Sequence, residues 1–357
     1  MAYRILAINP GSTSTKIAIF EDENQIFIKT IRHSAEEISS YPNIASQFAY
    51  RKDLILSELK NAGIDIATID AIVGRGGVIK PIESGIYEVN AAMLHDLEHP
   101  VMGEHASNLG GLISHNIAAE LGDKVKAYIA DPVVVDEMDP IARISGHPAI
   151  QRLSIFHALN QKAIARTYAQ EAGRKYEDLN LIVAHMGGGI SVSAHQKGRV
   201  IDTNNALDGE GAFSPERSGS LPTGALVNLC FSGQYTKEEI KKMLCGKGGV
   251  VAYLGSNDML EVERKAETDP EWAKIQDAMS YQVSKEIGAM ATVLKGQVDA
   301  ILLTGGIAYG KPVTDYITAR VGFIAPVKVY PGEDEMRALA MNGLRILKGE
   351  TQAKKYV

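Results

Sequence analysis

The residues of this chain that are best suited to chemistry lie in short glycine-bearing segments that follow apolar runs. Residues 9–16 (NPGSTSTK) combine an amide, several hydroxyls and one ammonium group around Gly11. Hydroxyls and backbone N–H groups in a tight turn form a concave anion site, and Lys16 adds a charge that can bridge phosphate oxygens. Asn9, at the end of the preceding strand, is placed to hold a metal-bound water. On its own, this segment is also compatible with an ordinary surface hairpin.

Two further glycine-rich turns follow strands later in the chain. His185 ends one strand directly before Gly187, Gly188 and Gly189, and residues 304–306 (TGG) end another. Consecutive glycines destabilise a strand connection through backbone entropy, so they mark places where a ligand approaches the main chain closely. Three such turns in one α/β chain indicate a nucleotide held between two lobes, an architecture shared by actin, hexokinase and the Hsp70 ATPase.

Two arginines lie in loops of low apolar content. Arg75 stands in GRGG and Arg217 in SPERSGSLP. An arginine beside glycine in a turn is a good anion clamp, because its planar fork matches the oxygens of a carboxylate or a phosphate. A solvated loop arginine is the alternative for each. His157, which the pattern places on a helix, is by default interpreted as a core histidine.

Three familiar patterns do not support their usual functions. Residues 305–312 (GGIAYGKP) nearly match a P-loop, but Pro312 stands where the pattern needs a hydroxyl and removes a backbone N–H. Residues 95–99 (HDLEH) fit an inverted zinc-protease motif, which a solvated helix capped by Asn90 explains equally well. No G-x-G-x-x-G sequence follows a strand, so a Rossmann dehydrogenase has no support.

The composition excludes several classes of partner. The chain has 357 residues, a formal net charge of −6, 45% hydrophobic residues and 22% charged residues. These values are typical of a soluble globular protein and not of a nucleic-acid binder or a protein held on anionic lipid. No run approaches the roughly 18 uncharged apolar residues of a membrane-spanning helix, and the first residues lack a signal-peptide pattern. We therefore expect a cytoplasmic protein without nucleic-acid or membrane partners.

The strands that must position these residues occur twice in the same order. Residues 4–20 and 180–194 each contain two apolar runs joined by a glycine-bearing turn, which predicts two β-hairpins. Residues 70–77 (DAIVGRGG) and 299–306 (DAILLTGG) each predict a buried strand that ends in paired glycines. The repeated order predicts an ancient duplication of one structural unit.

The predicted helices complete the repeat. Helical patterns precede the two glycine-terminated strands, at residues 54–62 and 272–295. The second half is enlarged by an insertion around residues 202–258. Three other helices are predicted by apolar spacing and glycine stops, at residues 105–121, 148–172 and 335–347.

Alternating strands and helices predict a mixed α/β fold with parallel sheet elements and a cleft between two lobes. We place the N-terminal lobe at residues 1–132, completed by the C-terminal helix at about residues 336–357. The C-terminal, nucleotide-binding lobe is placed at residues 133–335. Folding is expected to gather the glycine-lined turns of both halves, with Arg75 and Arg217, around one gap.

Nine motifs, in order over nearly the whole chain, resemble those of the butyrate kinases of the acetokinase family: NPGSTSTK, GRGG, EHASNLGG, ADPVVVDEM, SIFHALNQKA, AHMGGGISV, NNALDGEG, SPERSG and LLTGGI. The acetate kinases are more distant relatives. The resemblance implies the duplicated two-lobed ATPase fold of the sugar kinase/Hsp70/actin superfamily. It also implies direct, reversible phosphoryl transfer from ATP, with Mg²⁺, to butyrate or a branched analogue, giving an acyl phosphate and ADP. By analogy, we expect a homo-oligomer, either a dimer or a larger assembly.

The resemblance also implies a role for each residue that matches a family motif. The residues matched to the phosphate and magnesium loop are Asn9, Ser12, Ser14 and Lys16. Those matched to the nucleotide site are Gly187, Gly188, Gly189, Asp258, Gly305, Gly306 and Ile307. Those matched to the catalytic set are Arg75, Arg217, Asp131, His157 and His185, with His105 in the substrate cleft. A magnesium ligand near the C-terminus matches two competing residues, Glu333 and Glu335.

Two departures from the acetate kinases leave the adenine contacts open. The acetate branch has an asparagine where Gly188 stands here. In the acetate branch, an aromatic residue and an arginine follow the aspartate that corresponds to Asp258. In this chain, Met259 and Leu260 follow it. Both differences fit the butyrate branch.

The implied reaction agrees with these residue types. It brings an anion toward an anion, so catalysis is mostly positioning and neutralisation of oxygen charge. Two arginines, two histidines, Lys16 and Mg²⁺ provide this without a covalent enzyme intermediate. A carboxylate with a pKa of about 4 to 5 is already ionised near pH 7. Asp131 is therefore not needed as a general base, and we expect it to orient an arginine or a metal-bound water.

Two other functions stay open from the sequence. A sugar or polyol kinase of the same superfamily would use a carboxylate such as Asp131 to deprotonate a hydroxyl. A nucleotide-binding regulator of the actin or Hsp70 kind would hydrolyse ATP slowly. The arginines and histidines argue against a regulator, because it needs no second anion site.

Overall fold

The structure is a computed structural model that describes residues 2–99 and 103–357 of the chain. Contacts divide it into two compact units, Met1–Val135 with Asp334–Val357, and Asp136–Glu333. The first unit consists of two stretches of sequence, because the C-terminal residues pack with the N-terminal ones. Each unit is built on one β-sheet. Within the described ranges, no helix has the length and apolar character needed to cross a membrane.

The first unit contains a seven-stranded sheet. Its strands, numbered along the chain, are β1 (Arg4–Pro10), β2 (Ser14–Glu21), β3 (Asn24–Arg32), β4 (Ala71–Arg75), β5 (Ile86–Glu88), β6 (Lys126–Ala130) and β12 (Lys354–Lys355). Its helices are α1 (Ala35–Ser39), α2 (Phe48–Asn61), α3 (Ala91–Glu98), α4 (Asn108–Leu121) and α12 (Glu335–Leu347).

The second unit contains a five-stranded sheet. Its strands are β7 (Asn180–Met186), β8 (Ile190–Gln196), β9 (Arg199–Thr203), β10 (Ala300–Gly305) and β11 (Val327–Pro331). Its helices are α5 (Ala158–Glu171), α6 (Thr223–Cys230), α7 (Lys237–Leu244), α8 (Val250–Leu254), α9 (Met259–Ala266), α10 (Pro270–Val293) and α11 (Lys311–Val321). The predicted insertion accommodates α6, α7 and α8.

The two sheets share one strand order. The first runs β6-β4-β1-β2-β3, extended by β5 and β12, and the second runs β11-β10-β7-β8-β9. In each, an antiparallel hairpin (β1–β2 or β7–β8) is flanked by a strand parallel to its first member. A register shift near the end of the second hairpin strand also recurs, between Ile19 and Phe20 and between Ala194 and His195. The predicted duplication is therefore present in the topology.

Parallel pairing brings predicted site residues to one edge of each sheet. Ile8 of β1 is in register with Gly74 of β4, so Asn9 and Arg75 follow at the carboxyl ends of adjacent strands. In the second sheet, His185 of β7 is in register with Thr304 of β10. Ligands of open α/β sheets bind outside the carboxyl ends of the strands. The fold thus places both sets of residues where ligands usually bind.

One predicted helix begins ten residues too early. The predictions over 54–62, 272–295 and 335–347 correspond to α2, α10 and α12. Helix α5 instead starts at Ala158 rather than at residue 148. Arg152 explains this, because its backbone N–H donates to the carbonyl of Arg143 at 3.1 Å and its guanidinium to that of Thr203 at 2.8 Å. His157 is consequently the N-cap residue of α5 and not a residue of the helix interior.

Helix α4 contacts the strand that carries Arg75 directly, because two glycines face each other. A Cβ on Gly74 would lie 2.2 Å from the carbonyl oxygen of Gly110. A Cβ on Gly110 would likewise lie 2.2 Å from the carbonyl oxygen of Arg75. Any side chain at either position would push α4 away from β4. This contact between main chains fixes the backbone from which the Arg75 side chain extends.

We predict that Gly110→Ala lowers the free energy of unfolding by about 1–3 kcal/mol, because the new methyl group overpacks the α4–β4 contact. Gly288→Ala is the matched control. Gly288 also lies within a helix, and its Cβ would meet no atom within 4 Å. This control should gain about 0.4–1 kcal/mol from the reduced entropy of the unfolded chain. Urea denaturation measures both values, and equal stability of the two variants would contradict the packing argument.

Candidate active site

The turn between β1 and β2 carries the residues predicted to bind phosphate. The N–H of Gly11 donates to the carbonyl of Ser14 at 2.7 Å and closes the turn. Asn9 pairs with Lys16 across the hairpin, so both side chains point to the same face of the sheet. Lys16 and Ser12 are exposed and Ser14 is half-buried. The structure therefore brings an amide, two hydroxyls and an ammonium group to one end of the hairpin.

A buried arginine that the sequence analysis missed supports this turn. Arg51 lies on α2 and is 1% exposed. Its guanidinium donates to the carbonyl oxygens of Gly11 at 2.7 Å and Ser12 at 3.2 Å, and to the Thr15 hydroxyl at 3.2 Å. The side-chain oxygen of Gln47 accepts a further bond of 2.7 Å. Burial lowers the pKa of Arg51 from its ordinary value, but a guanidinium stays charged in proteins.

Arg51 also determines which way the turn presents its peptide groups. In a planar trans peptide, the carbonyl of one residue and the N–H of the next point in opposite directions. The carbonyls of Gly11 and Ser12 face Arg51, so the N–H groups of Ser12 and Thr13 point away from it. The Thr13 carbonyl accepts from the N–H of His33 at 2.9 Å. The negative ends of these peptides are thus covered by donors, and the positive ends face outward as an anion site requires.

Arg75 contacts Asn9 and Glu335. Its Nη1 lies 3.0 Å from Oε1 and 3.1 Å from Oε2 of Glu335, and 3.4 Å from Oδ1 of Asn9. The side-chain amide of Asn9 donates to Glu335. Glu335 lies in the first turn of α12, where the helix dipole favours a negative charge. The arginine predicted to clamp an anion therefore binds a carboxylate in this structure.

Asp131 and His105 have defined local contacts. Asp131 is buried, has a φ of 38°, and its Oδ1 accepts from the Ser84 hydroxyl at 2.6 Å and the Gly85 N–H at 2.9 Å. A positive φ at a non-glycine residue is a strained conformation that is common at functional sites. His105 is exposed and precedes α4, which begins at Asn108 and not at residue 105 as predicted. Its Nδ1 lies 2.8 Å from the Ser107 hydroxyl.

Two histidines of the second unit stack on each other at the end of β7. The ring centroids of His157 and His185 are 4.1 Å apart, with an interplanar angle of 24°. His185 is 1% exposed, and its Nε2 lies 3.3 Å from Oε2 of Glu333. The same oxygen accepts a hydrogen bond of 3.2 Å from the side-chain amide of Asn160. Two nitrogen atoms thus converge on one negative oxygen, an arrangement that also suits an oxygen of a phosphoryl group.

Arg217 approaches the glycine turn of the second unit very closely. A Cβ on Gly189 would lie 1.8 Å from Nη1 of Arg217. That nitrogen donates to the carbonyl of Ala206 at 2.7 Å, and the Ser214 hydroxyl donates to the carbonyl of Gly188 at 2.7 Å. The loop that carries Arg217 is therefore tied to the turn, and a side chain at position 189 would displace the Arg217 guanidinium.

One of the two glycines at the end of β10 is also required by close packing. Gly305 has a φ of 92°, and a Cβ there would lie 2.3 Å from the carbonyl oxygen of Met186. Its backbone exchanges hydrogen bonds of 2.9 and 3.0 Å with Gly332. Gly306 is exposed and opens a short 3₁₀ helix that contains the buried Ile307. The exposed main chain at Gly306 is open to a ligand.

Asp258, which was matched to the nucleotide site, has a local structural role. It is exposed and caps α9, with its carboxylate accepting from the N–H groups of Leu260 at 3.0 Å and Glu261 at 3.4 Å. Capping alone accounts for an aspartate at this position.

The donor atoms present suit Mg²⁺ better than zinc. Among the described residues there is no group of three or more His, Cys, Asp or Glu side chains that could hold a metal ion. The residues of HDLEH lie at the end of α3, which Asn90 caps as expected. Mg²⁺ needs only one or two protein carboxylates, because water and substrate phosphates complete its shell. The carboxylate of Glu335 beside the amide of Asn9 meets that requirement.

The chain is similar to known kinases over its whole length. A model of the Acetokinase family matches residues 147–321. The chain is 60% identical over 357 residues to Butyrate kinase 2 of Clostridium acetobutylicum, with 100% of both chains covered. It is 61% identical over 355 residues to Butyrate kinase 1 of the same organism, with 99% of each covered.

Solved structures confirm the predicted fold class. An acetate kinase from Porphyromonas gingivalis matches with a TM-score of 0.79 and 19% identity, covering 97% of this chain and 100% of the other. A propionate kinase from Francisella tularensis subsp. tularensis SCHU S4 matches with a TM-score of 0.74 and 18% identity, covering 95% and 98%. At these identities the likeness shows the fold, which is the duplicated two-lobed α/β fold expected from the sequence.

We predict that Arg51→Met raises the KM for ATP by on the order of 10-fold, because bonds from a charged donor to the turn, worth about 1.5–3 kcal/mol each, are lost. Leu59→Ala is the matched control, since Leu59 is a buried residue of the same helix whose apolar side chain cannot donate hydrogen bonds to the turn. It should lose about 2–5 kcal/mol of stability and keep its KM for ATP. Steady-state kinetics and thermal unfolding test the pair, and an unchanged KM in Arg51→Met would refute the role of Arg51.

Proposed function

The chain belongs to the acetokinase family, and we propose that it transfers the γ-phosphoryl group of ATP to butyrate or a branched analogue. The products are the acyl phosphate and ADP, and the reaction is reversible. The observation that carries this proposal is the 60% identity over the full chain to a relative named butyrate kinase. We also propose that the protein is a cytoplasmic homo-oligomer without nucleic-acid or membrane partners. This part of the proposal rests on composition and on the family resemblance.

The chemistry requires the approach of two anions. One oxygen of the carboxylate attacks the γ-phosphorus, the bond from that phosphorus to the bridging oxygen breaks, and ADP leaves with the electron pair. The carboxylate is already ionised, so no residue has to remove a proton. The protein must instead hold the two anions together and neutralise the charge on the transferring group.

Donors of the first unit are suited to the substrate and to the phosphate chain. Arg75 binds the carboxylate of Glu335 with its Nη1 at 3.0 Å, which supports a role as the clamp of an anionic substrate. Lys16 and the N–H groups of Ser12 and Thr13 are assigned to the phosphates. Asp131 is proposed to act through orientation and not as a base, because its carboxylate is already bonded to Ser84 and Gly85.

Donors of the second unit are suited to the group in transfer. His185 and Asn160 converge on an oxygen of Glu333, which supports the ability of this cluster to stabilise a negative oxygen. We assign His157, His185 and Arg217 to the equatorial oxygens of the phosphoryl group. The glycine turns at 187–189 and 305–306 are assigned to the nucleotide, as the family motifs that they match imply.

Proteins of this family use ATP or ADP with Mg²⁺. When bound, Mg²⁺ neutralises charge on the phosphate oxygens. We propose that Glu335 rather than Glu333 holds it, because Glu335 contacts Asn9 of the phosphate turn whereas Glu333 contacts His185. Asn9 would then orient a water of the metal shell.

The proposed function predicts acyl phosphate formation that depends on a carboxylate. In a hydroxamate assay with acids of two to six carbons, the rate should be highest for butyrate or a branched acid of similar size. Glycerol should not be phosphorylated, because the site has no base assigned to a hydroxyl. Phosphorylation of glycerol would indicate a polyol kinase, and ATP hydrolysis that ignores carboxylates would indicate a regulator; either result overturns the proposal.

We predict that Arg75→Ala lowers kcat by on the order of 10²-fold or more, since one donor to developing charge is lost. Arg4→Ala is the matched control. Arg4 belongs to the same unit and also binds a carboxylate, that of Glu21, but at a partly exposed position away from the turn. It should keep the wild-type kcat. Unchanged activity of Arg75→Ala at saturating carboxylate would show that Arg75 is not the clamp.

A further inference from the structure

A buried chain of hydrogen bonds runs behind His157 within the second unit. The Tyr176 hydroxyl lies 2.7 Å from Nδ1 of His195, and Nε2 of His195 lies 2.9 Å from Oε1 of Gln161. Nε2 of Gln161 donates to the Ser191 hydroxyl at 2.8 Å. That hydroxyl lies 2.9 Å from Nδ1 of His157. No role in the reaction requires a buried histidine such as His195, so this chain of hydrogen bonds needs an explanation of its own.

The orientation of Gln161 sets the direction of the whole chain. Its side-chain nitrogen also donates to the backbone carbonyl of Ser191 at 3.1 Å. A carbonyl can only accept, so the amide must place its NH₂ toward Ser191 and its oxygen toward His195. The nitrogen of His195 that faces this oxygen must then carry a proton.

The other nitrogen of His195 is therefore an acceptor. Burial lowers the pKa of His195 well below its ordinary value, with Lys162 and Arg166 adding to the effect, so the ring is neutral. With the proton on Nε2, Nδ1 accepts from the Tyr176 hydroxyl. Each hydrogen bond therefore has one fixed direction. Tyr176 donates to His195, His195 donates to Gln161, and Gln161 donates to Ser191.

Ser191 passes this direction on to His157. Its hydroxyl oxygen receives the Gln161 amide at 2.8 Å and the backbone N–H of His157 at 3.4 Å. A hydroxyl has two acceptor lone pairs and one proton. With both lone pairs engaged, the proton is directed to Nδ1 of His157. When His157 carries a single proton, that proton must be on Nε2.

We infer that Gln161, His195 and Ser191 are positioning residues that hold His157 as the Nε2–H tautomer, a donor aimed at the transferring phosphoryl group. This inference rests on the proposed function for the identity of the acceptor. The stack of His157 on His185 at 4.1 Å fixes the plane of the ring, and the chain fixes which of its nitrogens donates. A fixed donor avoids reorganisation when negative charge develops on the phosphoryl oxygens.

The direct test is the protonation state of the His157 ring nitrogens. Nitrogen NMR of the full-length protein labelled at its nine histidines separates protonated from unprotonated nitrogens, and the loss of signals in His157→Gln assigns them. We expect a protonated Nε2 and an unprotonated Nδ1 in the wild type. A wild-type protein with the proton on Nδ1 would overturn the inference without any variant.

Two variants and one control connect the tautomer to catalysis. Gln161→Met and Ser191→Ala each break the chain, so a population with the proton on Nδ1 should appear. We expect kcat to fall by on the order of 10-fold, less than the loss for deleting a transition-state donor outright, with the KM for ATP changed less than about 3-fold. Ser193→Ala is the control, because Ser193 is buried on the same strand but bonds to Thr203 at 2.7 Å. It should keep both the wild-type spectrum and the wild-type kcat.

The outcomes separate this inference from the proposed function. The spectrum is recorded without substrate, so a wild-type protein that forms no acyl phosphate overturns the proposed function and leaves the tautomer assignment in place. Variants that keep the wild-type spectrum overturn the role of the chain, even in an active enzyme. Variants that change the spectrum but keep the wild-type kcat overturn the catalytic consequence.

Discussion

Repulsion between two anions is the constraint to which the arrangement of this protein responds. A carboxylate and a triphosphate approach each other only when positive and N–H groups are already in place around them. Long side chains and flexible turns lose that placement easily, because each free rotation must be restricted during the reaction. A protein that joins two anions therefore needs rigid supports behind its donors as much as it needs the donors themselves.

The structure provides a different support for each of three donors. Arg51 holds the carbonyls of the β1–β2 turn and so directs its N–H groups outward. The contact of Gly74 with Gly110 fixes the strand end that carries Arg75. Ser191 holds one ring nitrogen of His157 at 2.9 Å. The side chains of Arg51 and Ser191 are buried, and burial strengthens their hydrogen bonds while it excludes alternative conformations.

Local features of the fold could be predicted from the sequence, because they depend on neighbours along the chain. Both hairpins follow from apolar runs around glycine turns, and α12 follows from its apolar spacing and a glycine stop. The supports could not be predicted, since their partners are far apart; Arg51 reaches Gly11 across forty positions. One signal was present: Arg51 lies at helical spacing before the buried Ile55 and Leu59, so a charge falls on the apolar face of α2. The local pattern predicts a start for α5 that is too early. Hydrogen bonds of Arg152 with distant carbonyls override that pattern in the structure.

Direct transfer between two held anions leaves a stereochemical record. The most direct test follows an ATP whose γ-phosphoryl group is made chiral with oxygen isotopes and determines the configuration of that group in the acyl phosphate. A single in-line displacement by the carboxylate inverts the configuration, so we predict inversion. Retention would mean that a residue such as His157 or His185 first accepts the phosphoryl group, which would contradict a site that acts only by positioning and neutralisation.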